Sequence, residues 1–79
     1  MKIELYLYAT LAKYLPENTG PRSATLDVDE NARIRDVVDR LRIPEKSIKL
    51  VFVNGVHGQM DTVVNDGDRV GLFPPVGGG

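Results

Sequence analysis

The chain has 79 residues, 42% hydrophobic and 27% charged, with 10 Lys and Arg against 11 Asp and Glu for a formal net charge of −1. That is the composition of a folding chain with room for one domain, and it excludes the broad cationic field that nucleic acid demands. There is no cysteine, which rules out disulfide staples, thiolate metal sites, iron–sulfur clusters and cysteine nucleophiles, and no run approaches the roughly 20 apolar residues of a membrane span. A reducing cytoplasm is the expected compartment, with neither nucleic acid nor membrane as partner.

Residues 2–8 alternate, Ile3, Leu5 and Leu7 against Lys2, Glu4, Tyr6 and Tyr8, which predicts a half-buried strand. Residues 9–15 carry Leu11, Ala12, Tyr14 and Leu15 ahead of Pro16, enough for a short helical connection. Asn18, Gly20 and Pro21 mark a turn. Ala24, Leu26 and Val28 then alternate with Ser23, Thr25, Asp27 and Asp29 in a second strand, hairpin-linked to the first.

From Asn31 the period lengthens: Ile34, Val37, Val38 and Leu41 lay an apolar stripe on a helix that Pro44 ends. Asp29 and Asn31 are candidate N-caps, Asp36 and Arg40 stand four apart in the favourable order, and Arg40 and Arg42 suit the negative end of the helix dipole. Residues 50–53 are apolar and run into Asn54-Gly55, the dipeptide of a tight hairpin turn, with Val56-His57 as a short returning strand. Asp66-Gly67-Asp68 turns the chain into a last strand over residues 69–73. The order is β-β-α-β-β-β. One amphipathic helix must bury its stripe on one face of a mixed sheet of about five strands, so the expected class is a two-layer α+β domain over residues 1–73, followed by a tail over residues 74–79.

That tail reads Pro74-Pro75-Val76-Gly77-Gly78-Gly79. Prolines favour extended backbone and glycines remove every side chain, so at ~3.1–3.6 Å per residue it reaches roughly 19–22 Å from the body. A carboxylate on such a stem fits a narrow channel in another protein and leaves its carbonyl open to a nucleophile. A frayed terminus is the plainer alternative. A phosphate-cradling loop is not, because no helix follows the glycines.

The body offers little chemistry. His57 is the sole histidine, and its sequence neighbours Asp61 and Asp66 make no triad, with no nucleophile elbow in reach. Asp27, Asp29, Glu30, Asp61, Asp66 and Asp68 lack calcium-loop spacing and read as turn and cap residues. No metal site and no catalytic residue is expected. Arg33, Arg35, Arg40 and Arg42 are interleaved with Asp36 and Asp39, as on a solvated, salt-bridged helix face. The aromatic residues carry more. If Leu5, Leu7, Val51, Val53, Val70 and Leu72 face the helix, then Tyr6, Tyr8, Phe52 and Phe73 face away and form a docking patch where they cluster.

The strand order, the Val53-Asn54-Gly55 hairpin, the Asp66-Gly67-Asp68-Arg69-Val70 turn and Phe73-Pro74-Pro75-Val76 before terminal glycines together resemble the MoaD/ThiS group of ubiquitin-like sulfur carriers, closest to the MoaD branch, the small subunit of molybdopterin synthase. The resemblance implies a β-grasp with the first strand beside and parallel to the last, and the third on its other side. That order brings Tyr6, Tyr8, Phe52 and Phe73 into one neighbourhood for docking, with Pro74 and Pro75 leading Gly77, Gly78 and Gly79 into the partner's channel. It further implies that an adenylating enzyme of the MoeB/ThiF type, using its own ATP and magnesium, joins the Gly79 carboxylate to AMP. A sulfur donor then makes the thiocarboxylate, which a MoaE-like large subunit consumes in molybdenum- or tungsten-cofactor synthesis. The chain binds no cofactor in this scheme and is a carrier rather than an enzyme. Alternatives are a carrier for thiamine or another sulfur metabolite, a modifier conjugated to lysines, or an interaction domain with an idle tail. The third terminal glycine, Arg69 where an acidic residue is common, and Ala32-Arg33 in place of a Ser/Thr cap depart from the group's pattern.

Overall fold

A computed structural model describes residues 1–16 and 20–75. The alternation at the start of the chain forms β1 (Lys2–Leu7), in which Ile3, Leu5 and Leu7 are fully buried. A 3-10 turn (Ala9–Tyr14) follows and inserts Leu11 into the core. Next come β2 (Ser23–Asp27), α1 (Ile34–Arg40), β3 (Leu50–Val53), β4 (Val56–His57) and β5 (Arg69–Phe73), with a second 3-10 turn (Glu45–Ser47) after Pro44 that the apolar period did not announce.

The five strands form one sheet in the order β2-β1-β5-β3-β4. β1 and β5 run parallel at its centre, and the other pairs are antiparallel. Ile34, Val37 and Val38 of α1 share one buried cluster with Ile3 and Leu5 of β1, Val51 of β3 and Val70 and Leu72 of β5. The helix therefore covers one sheet face, and the other is left to the odd-man residues of each strand. The expected α+β class and ubiquitin-like strand order are both present.

The helix ends differ from expectation for identifiable reasons. α1 starts at Ile34 with Arg33 as N-cap, not at Asp29 or Asn31. Asn31 instead takes a left-handed φ of 65° in a turn where the Ala32 N–H donates to the Asp29 carbonyl at 3.1 Å. The first helical N–H groups are satisfied from far along the chain: Ile34 donates to the Thr62 carbonyl at 3.0 Å and Arg35 to that of Met60 at 2.8 Å. A distant loop supplies the acceptors a local cap would otherwise give. The Asp36 carboxylate reaches back to the Arg33 N–H at 2.9 Å.

At the other end Ile43 donates to the Val38 carbonyl and Arg42 to that of Asp39, both at 3.1 Å, with Arg42 at φ 60°. This is a Schellman stop with arginine where glycine is usual. Arg40 does not pair with Asp36. Its guanidinium donates to the Asp27 carbonyl at the edge of β2. Arg35 pairs with Asp61 and, at 3.6 Å, with Glu45, so the basic residues of α1 tie it to its surroundings.

Candidate docking face

The outer sheet face is built by alternation. Because Leu5, Leu7, Val70 and Leu72 point inward, Tyr6 of β1, Tyr8 just after it, and Gly71 and Phe73 of β5 point outward, and Phe52 does so from β3. The register sets Gly71 opposite Tyr6 on one side and Phe52 on the other. A residue without a side chain thus lies at the centre of an aromatic surface.

The rings organise around that gap. Tyr8 stacks on Phe73 with centroids 4.2 Å apart and planes 6° apart, and Phe52 meets Phe73 edge-on at 5.6 Å and 84°. His57 packs edge-on against Phe52 at 5.9 Å, a packing role. A Cβ on Gly71 would lie 3.4 Å from Cε2 of Tyr8 and 3.7 Å from Cε1 of Phe73. The result is a groove of about 500 Å³ with an aromatic wall at the Phe73 end. The sequence expectation that Tyr6, Tyr8, Phe52 and Phe73 share one neighbourhood holds in space. They are half-buried rather than fully exposed, because they shield one another.

The opposite end of the groove is polar and carries Asn54, Gly55 and Arg69. Asn54 sits at φ 53° and Gly55 at φ 81°, the two positive values a two-residue hairpin turn requires. The Asn54 side chain is used twice: its Nδ2 donates to the Asp68 carboxylate at 2.9 Å, and its Oδ1 accepts from the Arg69 N–H at 3.0 Å. Asp68, 8% exposed, also accepts from the Asn65 N–H at 2.7 Å. This clasp fixes the β3–β4 turn against the entrance to β5. Sequence reading took Asn54-Gly55 and Asp66-Gly67-Asp68 as two separate turns. Only the fold places them side by side.

At the rim the Tyr6 hydroxyl donates to the Glu4 carboxylate at 2.9 Å. That hydrogen bond, then the negative charge behind it, holds the Tyr6 hydroxyl above the usual tyrosine value. Gly71 went unremarked as a groove floor in the sequence, although a glycine inside a strand pattern is a known sign of close approach by something else.

Pro74 and Pro75 follow directly from Phe73, the first half-buried and the second exposed, so the tail leaves the body from the aromatic end of the groove. The calls on Gly77, Gly78 and Gly79 lie outside the described residues. Among the described residues no group of three or more His, Asp or Glu is placed to hold a metal ion, and no helix is long and apolar enough to cross a membrane.

Comparison with known proteins fits this architecture. The family model described as Mut7-C ubiquitin matches residues 1–77. The chain belongs to the Mut7-C ubiquitin family. Among solved structures it is similar to SAMP1 from Haloferax volcanii, with 28% identity, all of both chains covered and a TM-score of 0.74. The HVO 2177 protein of the same organism matches at 30% identity over all of this chain and 87% of its own, with a TM-score of 0.78. A putative molybdopterin converting factor subunit 1 from Pyrococcus furiosus matches at 25% identity over 95% of this chain and 98% of its own, with a TM-score of 0.72. No curated protein matches the sequence. The likeness of this Mut7-C ubiquitin family member to the MoaD/ThiS group, read first from its motifs, is borne out.

Proposed function

We propose that the protein is a cytoplasmic sulfur carrier whose reagent is a free carboxylate on Gly79 and whose body serves as the handle an activating enzyme grips. The observation that carries this is the position of the Tyr8–Phe73 stack. The only ordered aromatic surface on the outer sheet face ends, among the described residues, at the root of the Pro-Gly segment. A partner seated in that groove meets the chain at Phe73 and Pro74, where the tail begins.

The chemistry assigned to the partner is an exchange of leaving groups. A Gly79 carboxylate oxygen attacks the α-phosphorus of the partner's magnesium-bound ATP and releases pyrophosphate. A sulfide-level donor then adds to the acyl-adenylate carbonyl and expels AMP, leaving a thiocarboxylate. A carboxylate is a poor acceptor because its charge resists a nucleophile, and adenylation removes that charge. Glycine at the reacting residue leaves both faces of the carbonyl open. The MoaD-like neighbour favours a MoaE-like acceptor of that sulfur in molybdopterin synthesis.

A second reading, conjugation to lysines as a protein modifier, is favoured by the similarity to SAMP1. Intact mass spectrometry on the purified chain after incubation with ATP, magnesium, the adenylating enzyme of its own host and sulfide separates the two. Exchange of one oxygen for sulfur at Gly79 supports the carrier, and host lysines that carry the chain's last tryptic fragment, residues 70–79 after Arg69, support the modifier. A natural chain that continues past Gly79 without trimming, or a Gly79 that stays unmodified, defeats both.

A further inference from the structure

The groove is not uniformly apolar, and its polar end carries a single formal charge. Arg69 is the charged residue that lines it, and among the described residues its guanidinium makes no ion pair. Two of its neighbours are acidic, and neither forms an ion pair with it. Glu4 is its register partner on β1, but the Glu4 carboxylate is held by the Tyr6 hydroxyl at 2.9 Å. Asp68 precedes it in the chain, but points into the body, where Asn54 and Asn65 occupy it. The Arg69 backbone is meanwhile pinned by the Asn54 amide oxygen at 3.0 Å, which fixes where the side chain starts.

An unpaired guanidinium beside aromatic walls acts across low-dielectric surface, where a charge reaches further than in open water. Its planar fork matches a carboxylate in two-point contact. In the next outward position of the same strand stands Gly71, where the floor is open to a side chain from outside.

We propose that this groove selects a protein partner whose docking segment carries an aliphatic or methionine side chain, seated over Gly71 between Tyr8 and Phe52, next to an Asp or Glu that pairs with Arg69. The inference deepens the docking role proposed above and rests on it, adding the partner's chemistry. Gly71 and the rings supply the affinity. Arg69 supplies the choice of partner and the salt dependence of binding.

Selection of random linear peptides displayed on phage against the full chain tests this without using Gly79 at all. The expected result is enrichment of peptides pairing Leu, Ile or Met with a nearby Asp or Glu. The enriched synthetic peptide is expected to shift the amide resonances of Phe52, Arg69, Gly71 and Phe73. Arg69→Glu is expected to weaken that peptide about tenfold or more and to select Lys or Arg in the acidic place, whereas Arg69→Met weakens it without reversing the choice. Peptides that bind the groove without an acidic residue, an unchanged consensus with Arg69→Glu, resonance shifts elsewhere on the surface, no enrichment, or a dimer in sedimentation with the groove covered by a second copy each overturn the proposal. Failure here leaves the Gly79 mass exchange intact. Failure of that exchange leaves the peptide result standing.

Discussion

Tyr8 and Phe73 stack with ring centroids 4.2 Å apart, which joins the first strand to the last across the outer face and places the joint one residue before Pro74. The stack gives a prediction that separates docking from stability. Both rings are half-buried and outside the core cluster, so Phe73→Ala is expected to cost only about 1–2 kcal/mol of stability, the pair term plus part of a side chain's burial. Binding to the proposed adenylating partner is expected to fall tenfold or more, as for an aromatic anchor in an interface. Phe52→Ala should lose binding similarly. Urea unfolding and titration calorimetry measure the two effects, and an unchanged affinity in both variants would remove the docking role.

Gly71 allows a sharper version. A Cβ there meets Tyr8 at 3.4 Å and Phe73 at 3.7 Å, ordinary contact distances, so Gly71→Ala is expected to change stability by less than about 1 kcal/mol. Gly71→Val adds an isopropyl group to the groove floor and is expected to block the partner at least as well as removing Phe73, with the folded NMR spectrum retained. If Gly71→Val binds as the parent does, the floor is not where a partner side chain sits.

The elements of this fold were legible where local pattern and tertiary demand coincide. The period-2 runs of β1, β2 and β5 and the 3.6 period of α1 each reflect a single buried face, and the Asn54-Gly55 turn follows from its positive φ values. What the sequence hid was pairing at a distance. The start of α1 is capped by carbonyls of Thr62 and Met60, which no motif near residue 34 signals. Arg40 donates to the Asp27 carbonyl at the edge of β2 rather than pairing with Asp36. The aromatic patch was deducible from alternation, but the order of strands came from resemblance, and Gly71 acquires meaning only once Tyr6 and Phe52 are placed on either side of it.

Asp68 is the one buried charged residue among the described residues, and it accepts from Asn54 Nδ2 and the Asn65 N–H. Asp68→Ala is expected to destabilise by about 2–3 kcal/mol, since it strands two donors at once. Asn54→Gly tolerates the positive φ while deleting both side-chain hydrogen bonds, and is expected to cost about 1–2 kcal/mol. The double variant should cost less than the sum, because both remove the same Asn54–Asp68 bond. Denaturant midpoints of the four proteins test the coupling, and strict additivity would show that the clasp is not a unit.

Arg42 holds a left-handed φ of 60° at the Schellman stop of α1. A non-glycine residue pays about 1–2 kcal/mol for that conformation, partly recovered because glycine gives the unfolded chain more freedom. Arg42→Gly is therefore expected to raise stability by up to about 1 kcal/mol, and Arg42→Val to lower it. A melting temperature that falls with glycine would mean the Arg42 side chain contributes something its backbone geometry does not reveal.

Tyr6 donates its hydroxyl proton to Glu4, and ionising it would lose that bond and set two negative charges together, so its pKa lies above the ordinary tyrosine value. A group raised in the folded state adds stability that is fully present below its unfolded value and disappears as pH climbs through the folded one. In ultraviolet difference titration Tyr6 is expected to ionise at higher pH than free tyrosine, and Tyr6→Phe should delete that late step. Glu4→Gln keeps an acceptor oxygen but removes the charge, so it should bring the late step partway back toward the ordinary value. Because the hydroxyl is at the surface, added salt should do the same to the charge contribution but not to the hydrogen bond. A late step that survives in Tyr6→Phe would assign the alkaline shift to another ring and release Glu4 to pair with Arg69.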